Sequence, residues 1–393
     1  MTGMPEGQPQ SLFKSILSKS AIAAVLILVV GFIGGAAYYS SQLNEGAFEV
    51  VPWTGERNVE VLAFGGGTVT VAAVDGEDPD LKRGAVMGLA YDTGYIQMGA
   101  VTDESETSVV RKATLLTGLA PAVGTLADAD PYAFPEDPAV AGLDVEIIQY
   151  ESPIGPMDAW FVDGNRSEWI IHVHGKGASP QEAIRLMRPL AAAGYNQLAI
   201  TYRNDPGQPL GPTGVYQYGQ TEYEDLKGAI QFALDRAATD VVLVGYSTGG
   251  AIATAYAYRS LAREVRGAVF DAPNLDMGKT VDYAAEQRSL PFGLPVPRTM
   301  VGLAKVLTAL RLNVNWDNID YVRRAGRLTV PVLVFHGTED LTVPIDVSRE
   351  FAAVRSEMVT LIEIPDAGHV SSWNADPIEY EERVLDFIAE ITR

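Results

Sequence analysis

Four apolar residues, Val241-Val242-Leu243-Val244, run directly into Gly245-Tyr246-Ser247-Thr248-Gly249-Gly250 and then into a helical segment from Ala251 to Leu261. An apolar run this short reads as a strand buried on both faces, and the small residues after it permit a sharp reversal into a helix. A serine at that place sits exposed at the carboxyl edge of a sheet, on a turn too tight for large neighbours. The Gly-x-Ser-x-Gly spacing alone carries little weight. A chain with 38 glycines shows one by chance on the order of 0.1–0.3 times. The strand behind and the helix ahead give it meaning, and no other serine here has glycines on both sides at that spacing.

The rest of the sheet is legible in the alternation of strand and helix signals from about residue 143, which predicts a mostly parallel sheet of about eight strands with helices on both faces. Val145–Tyr150 and Ala159–Val162 read as an opening antiparallel hairpin. Trp169–His174, Leu198–Tyr202, Gly267–Phe270, Pro331–Phe335 and Val359–Ile364 read as further strands. Ser179 followed by Pro180 starts a helix that Gly194 stops, Thr221 and Glu224 form a capping box, and Asp376 with Pro377 opens the last helix. Residues 274–325 interrupt the alternation, and an insertion there is expected to lie over the strand ends like a lid. Upstream, Val59–Leu62, Thr68–Val74 and Tyr95–Met98 indicate a small β-rich domain, with a helix near Ser108–Leu116. Gly65-Gly66-Gly67 reads as a turn, and the acidic, proline-bearing stretch Asp128–Pro138 as a linker.

A serine hydroxyl needs a base within reach and donors for the oxyanion it creates. The chain has 4 histidines, and His369, in the loop after Ile364, is the one placed after a late strand and downstream of an acid. Asp340, just after the strand ending at Phe335, is the leading acid, with Glu339 and Asp271 as alternatives. The backbone amide of Thr248 and that of Lys176, in His174-Gly175-Lys176-Gly177, are the candidate oxyanion donors. His174 is read as buttressing that loop, and His172 and His336 as packing or capping. The i,i+2 spacing of His172 and His174 on a buried strand does not suit a metal. Gly278-Lys279-Thr280 lacks the first glycine of a phosphate loop, because Pro273 stands there. No cofactor or metal is expected.

With these segments in place, residues from about 143 to 393 resemble the α/β-hydrolase superfamily, in particular its serine aminopeptidase-like and acyl-thioesterase-like members. The similar features are His174-Gly175, Gly245-Tyr246-Ser247-Thr248-Gly249-Gly250, Asp340-x-x-Val343-Pro344 and Gly368-His369. The resemblance implies an ester, thioester or amide hydrolase working through an acyl-enzyme. The region 50–140 has no counterpart in the basic family core.

One further segment is unlike a soluble domain. Ala21 to Tyr39 is a run of 19 residues without a charge, and as a helix it spans about 28 Å, close to a bilayer's hydrocarbon core. Lys14 and Lys19 precede it while Glu45 and Glu49 follow. That bias predicts a cytoplasmic tail over 1–20, a membrane anchor over 21–39, a linker and small domain over 40–140, and a catalytic domain over 141–393 outside the membrane. A signal peptide cleaved near Gly35 and Ala37 is the alternative. Gly31 and Gly35 are read as small residues of a glycine-rich anchor.

The net charge of -21, from 50 acidic and 29 basic side chains, repels phosphate backbones and argues against nucleic acid as a partner. The chain has no cysteine, so thiolate chemistry and disulfides are excluded. The leading reading is a membrane-anchored carboxylic-ester or thioester hydrolase acting on a small acyl substrate. A peptidase without a propeller and a non-enzymatic surface protein on a hydrolase scaffold are the alternatives.

Overall fold

The computed structural model describes residues 9–50, 57–76, 79–259 and 263–393. The first eight residues of the expected tail and the end of the helix expected to reach Leu261 lie outside the described residues. Two compact units form: residues up to Glu49 with Ala284–Val314, and Val50–Tyr283 with Asn315–Arg393. The first begins with α1 (Pro9–Leu43), which carries the long apolar run.

In the second unit, β1 (Val59–Gly65), β2 (Thr68–Ala73), the single turn α2 (Pro79–Lys82), β3 (Met87–Tyr91), β4 (Gly94–Glu104), β5 (Val109–Gly118) and β6 (Leu126–Asp130) follow one another. The six strands close into an antiparallel barrel in the order β1-β2-β5-β4-β3-β6. Val61, Val71, Leu89, Ile96 and Met98 fill it without exposure. Two expectations are corrected here. The segment Ser108–Leu116 is strand β5 rather than helix, because Val109 and Arg111 alternate inward and the strand is hydrogen-bonded on both sides, to β2 and β4. Arg111 is fully buried among carbonyls, donating to those of Gly99 and Leu81. The expected linker from Asp128 begins instead as the end of β6, the strand that closes the barrel between β1 and β3. Its acids serve as buried acceptors, since Asp130 takes the Tyr95 hydroxyl and, at 2.8 Å, the Tyr132 amide.

The second sheet is built from β7 (Glu146–Ser152), β8 (Gly155–Val162), β9 (Glu168–Val173), β10 (Asn196–Ile200), β11 (Asp240–Tyr246) and β12 (Val265–Asp271), separated by α3 (Ile184–Ala192), α4 (Tyr223–Asp235) and α5 (Thr248–Ala257). After α6 (Met277–Glu286) come β13 (Ser289–Leu290), β14 (Leu294–Pro295) and α7 (Arg298–Leu312), then β15 (Val332–Gly337), α8 (Asp346–Val354), β16 (Val359–Ile364), α9 (Ser372–Ala375) and α10 (Pro377–Ile391). The order is β16-β15-β12-β11-β9-β10-β8-β7, parallel except for the β7–β8 hairpin and its pairing with β10. This is the α/β-hydrolase arrangement. Ser179 and Asp376 cap as their sequences imply, accepting the amides of Gln181 and Glu379. The expected capping box at Thr221 does not form. Glu222 takes the N-cap position of α4, and its buried carboxylate turns back to the amides of Gln217, Gly219 and Thr221.

Barrel and sheet belong to one unit and are stitched by polar bonds. The buried Arg185 guanidinium donates to the carbonyls of Pro131 and Val370 and, at 2.7 Å, to Asn374 Oδ1. The Asn374 side-chain amide in turn donates to the carbonyls of Val86 and Pro131, at 2.6 and 2.7 Å. In the first unit, α7 lies along α1. Residues 274–325, expected as one insertion, are divided between the two units: Ala284–Val314 groups with α1, against which Met300 and Thr308 of α7 are packed.

Candidate active site

Ser247 stands between β11 and α5 with φ 49°, a conformation that costs a residue with a Cβ about 1–3 kcal/mol. The surrounding backbone holds it there. The Ser247 amide donates to the Asp271 carbonyl at 2.9 Å, and its own carbonyl accepts from Asn274 and Gly250. The flanking glycines are sterically required, since a Cβ on Gly245 would lie 2.6 Å from the Gly250 nitrogen and one on Gly249 would overlap the Val173 carbonyl.

Three side chains from separate elements meet. His369 Nε2 lies 2.9 Å from Ser247 Oγ, and His369 Nδ1 lies 2.7 Å from Asp340 Oδ2. A carboxylate only accepts, so Nδ1 carries the proton and Nε2 is left as an acceptor toward the serine hydroxyl. Asp340 is buried, and burial by itself would raise its pKa. Hydrogen bonds from His336 and His369 outweigh that and hold the carboxyl well below the usual range. Its other oxygen accepts the amides of Thr342 and Val343 at 2.8 and 2.9 Å.

The alternative acids are engaged elsewhere. Glu339 pairs with Arg83 at 2.7 Å, and Asp271 accepts from the Ser372 hydroxyl at 2.7 Å. Burial pushes Asp271 up to about 6.

On the other side of Ser247, a Cβ on Gly175 would lie 3.3 Å from that of Ser247, so the Gly175-Lys176 loop closes on the serine. Glu182 accepts the Gly175 amide at 2.7 Å. His174 does buttress this loop. Its Nδ1 faces the Gly175 carbonyl at 2.8 Å and its Nε2 faces Asp205 at 2.9 Å, both acceptors, so the ring carries both protons. Burial alone would lower its pKa, but Asp205 raises it overall. His172 differs. Burial lowers it to about 4, and it bonds Gln197 as a neutral ring. Thr248, the first residue of α5, has an amide among those with no intrahelical carbonyl to serve.

A family model for the "Alpha/beta hydrolase family" matches residues 170–383. The chain belongs to the α/β-hydrolase family. Among solved structures, this hydrolase is similar to the esterase Pf2001 of Pyrococcus furiosus, at 20% identity over 66% of this chain and 95% of that one, with a TM-score of 0.52. It is also similar to the acylaminoacyl peptidase of Pyrococcus horikoshii, at 16% identity over 85% of this chain and 55% of that one, with a TM-score of 0.50. At these identities the likeness is one of fold. No curated protein matches the sequence.

Two residues that border the candidate site were not assigned from sequence. His336, read as a packing or capping residue, faces the acid: Nε2 lies 3.2 Å from Asp340 Oδ2 and 3.1 Å from the Val343 carbonyl, while Nδ1 meets the Ser348 hydroxyl at 2.7 Å. Its position four residues before Asp340, at the end of a strand, was the available signal. Glu182 was hidden because a glutamate in a first helical turn is ordinarily solvated.

Proposed function

We propose that the chain is a membrane-anchored serine hydrolase that cleaves carboxylic esters or thioesters through an acyl-enzyme. Ser247 Oγ attacks the acyl carbon as His369 Nε2 takes its proton. The Thr248 and Lys176 amides stabilise the oxyanion, and Asp340 keeps the imidazole in the required tautomer and balances its charge. The protonated His369 then returns the proton to the leaving alcohol or thiol. Water repeats the sequence on the acyl-enzyme and frees the acid. The observation carrying this reading is the continuous hydrogen-bonded path from Ser247 through His369 to an acid kept ionised.

Fluorophosphonate labelling of wild type against Ser247→Ala tests it. Labelling that depends on Ser247 is expected, and its absence in folded protein overturns the enzyme reading. A panel of acyl esters against aminoacyl amides then separates esterase from peptidase, with faster ester turnover expected.

The anchor reading rests on the helical run Ile22–Phe48, of mean hydropathy 2.2 with 6% of its apolar window buried. Lys14 and Lys19 on one side and Glu45 and Glu49 on the other set the N-terminus in the cytoplasm and the catalytic domain outside. Alkaline carbonate washing of membranes should leave the full-length chain in the pellet. Recovery of a soluble chain lacking its first residues would establish a cleaved signal peptide instead.

A further inference from the structure

Nine consecutive residues, Ser289-Leu290-Pro291-Phe292-Gly293-Leu294-Pro295-Val296-Pro297, carry no charge, and Arg288 and Arg298 stand at either end. They form the β13–β14 hairpin and the lead into α7. The turn holds Phe292 at φ 68° and Gly293 at φ 72°, and Phe292 is 101% exposed, with Leu294 at 58%. Projecting a phenylalanine from a left-handed backbone has a conformational cost, and in water the exposed ring gains nothing to offset it.

The hairpin shares its unit with α1, and the contacts fix how α7 runs against that helix. A Cβ on Gly35 would lie 3.0 Å from Met300 Cε, Ser40 Oγ meets Thr308 Oγ1 at 3.0 Å, and the Arg311 guanidinium donates to Ser41 Oγ at 3.2 Å. Residue numbers rise together on both helices, so they are parallel. The start of α7, and the hairpin before it, therefore belong to the side of α1 that leads back into its apolar run. Gly35 is four residues short of Tyr39, about 6 Å along the helix. Tyr38 and Tyr39 mark the polar end of that run, as aromatic residues do at a bilayer interface.

We infer that the 289–297 hairpin and the first turn of α7 form a second membrane element, resting in the outer half of the bilayer that α1 spans. The occupant of this surface is phospholipid: acyl chains against Phe292 and Leu294, and phosphates within reach of Arg288 and Arg298, the latter also 3.2 Å from Glu286. The hairpin shares its unit with the anchor through α7, and basic residues flank an uncharged apolar tip, the pattern of an interfacial insertion. This inference rests on the anchored reading of α1.

The absence of cysteine makes the test direct. Full-length Phe292→Cys, Leu294→Cys, Ile27→Cys and Val123→Cys are each labelled with an environment-sensitive fluorophore and reconstituted in vesicles of phosphatidylcholine and phosphatidylglycerol. Phe292→Cys and Leu294→Cys should show blue-shifted emission, most of it lost to lipids bearing a nitroxide high on the acyl chain. Ile27→Cys should be quenched by a deep nitroxide, and Val123→Cys, on the barrel, by neither. If Ile27→Cys is quenched while the hairpin positions behave like Val123→Cys, the hairpin inference fails and the anchor stands. If Ile27→Cys is not quenched, the anchor reading fails. Hairpin emission that shifts with protein density but is not quenched by lipid would mean a second copy covers the tip, and the inference is overturned.

Discussion

Two aspartates stand at the carboxyl ends of neighbouring parallel strands, and the protein treats them oppositely. Asp271 ends β12 and Asp340 follows β15, and both are almost fully buried. Asp340 faces four donors: the amides of Thr342 and Val343, His369 Nδ1 and His336 Nε2. Asp271 accepts the Ser372 hydroxyl on one oxygen, and beyond that the buried Tyr380 hydroxyl is the donor beside its carboxyl among the described residues. One carboxyl is therefore held ionised and the other is pushed toward neutrality. Burial raises both carboxyls, most strongly Asp271, and only at Asp340 do the donors outweigh it.

The contrast predicts unequal losses of function. Asp340→Asn should lower kcat on a soluble acyl ester by about 10⁴-fold, as expected when a base loses its orienting acid. Asp271→Asn should stay within about tenfold, a change of roughly 1.4 kcal/mol or less in the barrier. Equal losses in parallel assays would break the comparison.

Stability should carry the same signature, with opposite signs. Folded Asp271 keeps its proton up to about pH 6, whereas the unfolded chain releases it near 3.8. The folded state binds more protons in that window, so stability falls as pH rises from about 4 to about 6, by on the order of 3 kcal/mol. Asp340 works the other way, because its folded pKa is depressed. Its contribution is fully present above the ordinary aspartate value and is lost as pH falls from that value through the depressed folded one. Denaturant titrations of Asp271→Asn across pH 4 to 6 should show the first decline abolished, and an unchanged decline would refute the assignment. A smaller effect is expected at the supporting histidine. His336→Leu removes one hydrogen bond to the charged carboxylate and should cost about 2 kcal/mol in the same titration at neutral pH.

How much of this could be read in advance depended on whether the determinants were local. The Ser247 turn was legible because a short apolar strand, small flanking residues and a helix occupy consecutive positions. The sheet was legible for the same reason, through repeated strand and helix periods. Asp340 and Asp271 could not be separated so sharply, because their difference lies in donors from His336, His369 and Ser372, distant in sequence or on another element. Strand β5 was misread as helix because Val109 and Arg111 point into a barrel whose other strands alone make that alternation meaningful. Nothing local announces that Arg111 will be buried among carbonyls. The grouping of Ala284–Val314 with α1 depends on the Gly35–Met300 approach, between residues hundreds of positions apart.

Arg185 and Asn374 carry a consequence for how this molecule comes apart. Asn374 follows His369 closely in the chain, and its amide is committed to carbonyls at Val86 and Pro131, on segments flanking barrel strands. Arg185 adds its own bonds to Pro131, Val370 and Asn374. Melting the barrel would strand these buried donors beside the segment that bears the imidazole, so neither part has a comfortable half-denatured form. The barrel and the hydrolase sheet should lose structure as a single cooperative event. Activity would then vanish at the temperature where the barrel melts, and not at a later one of the sheet's own.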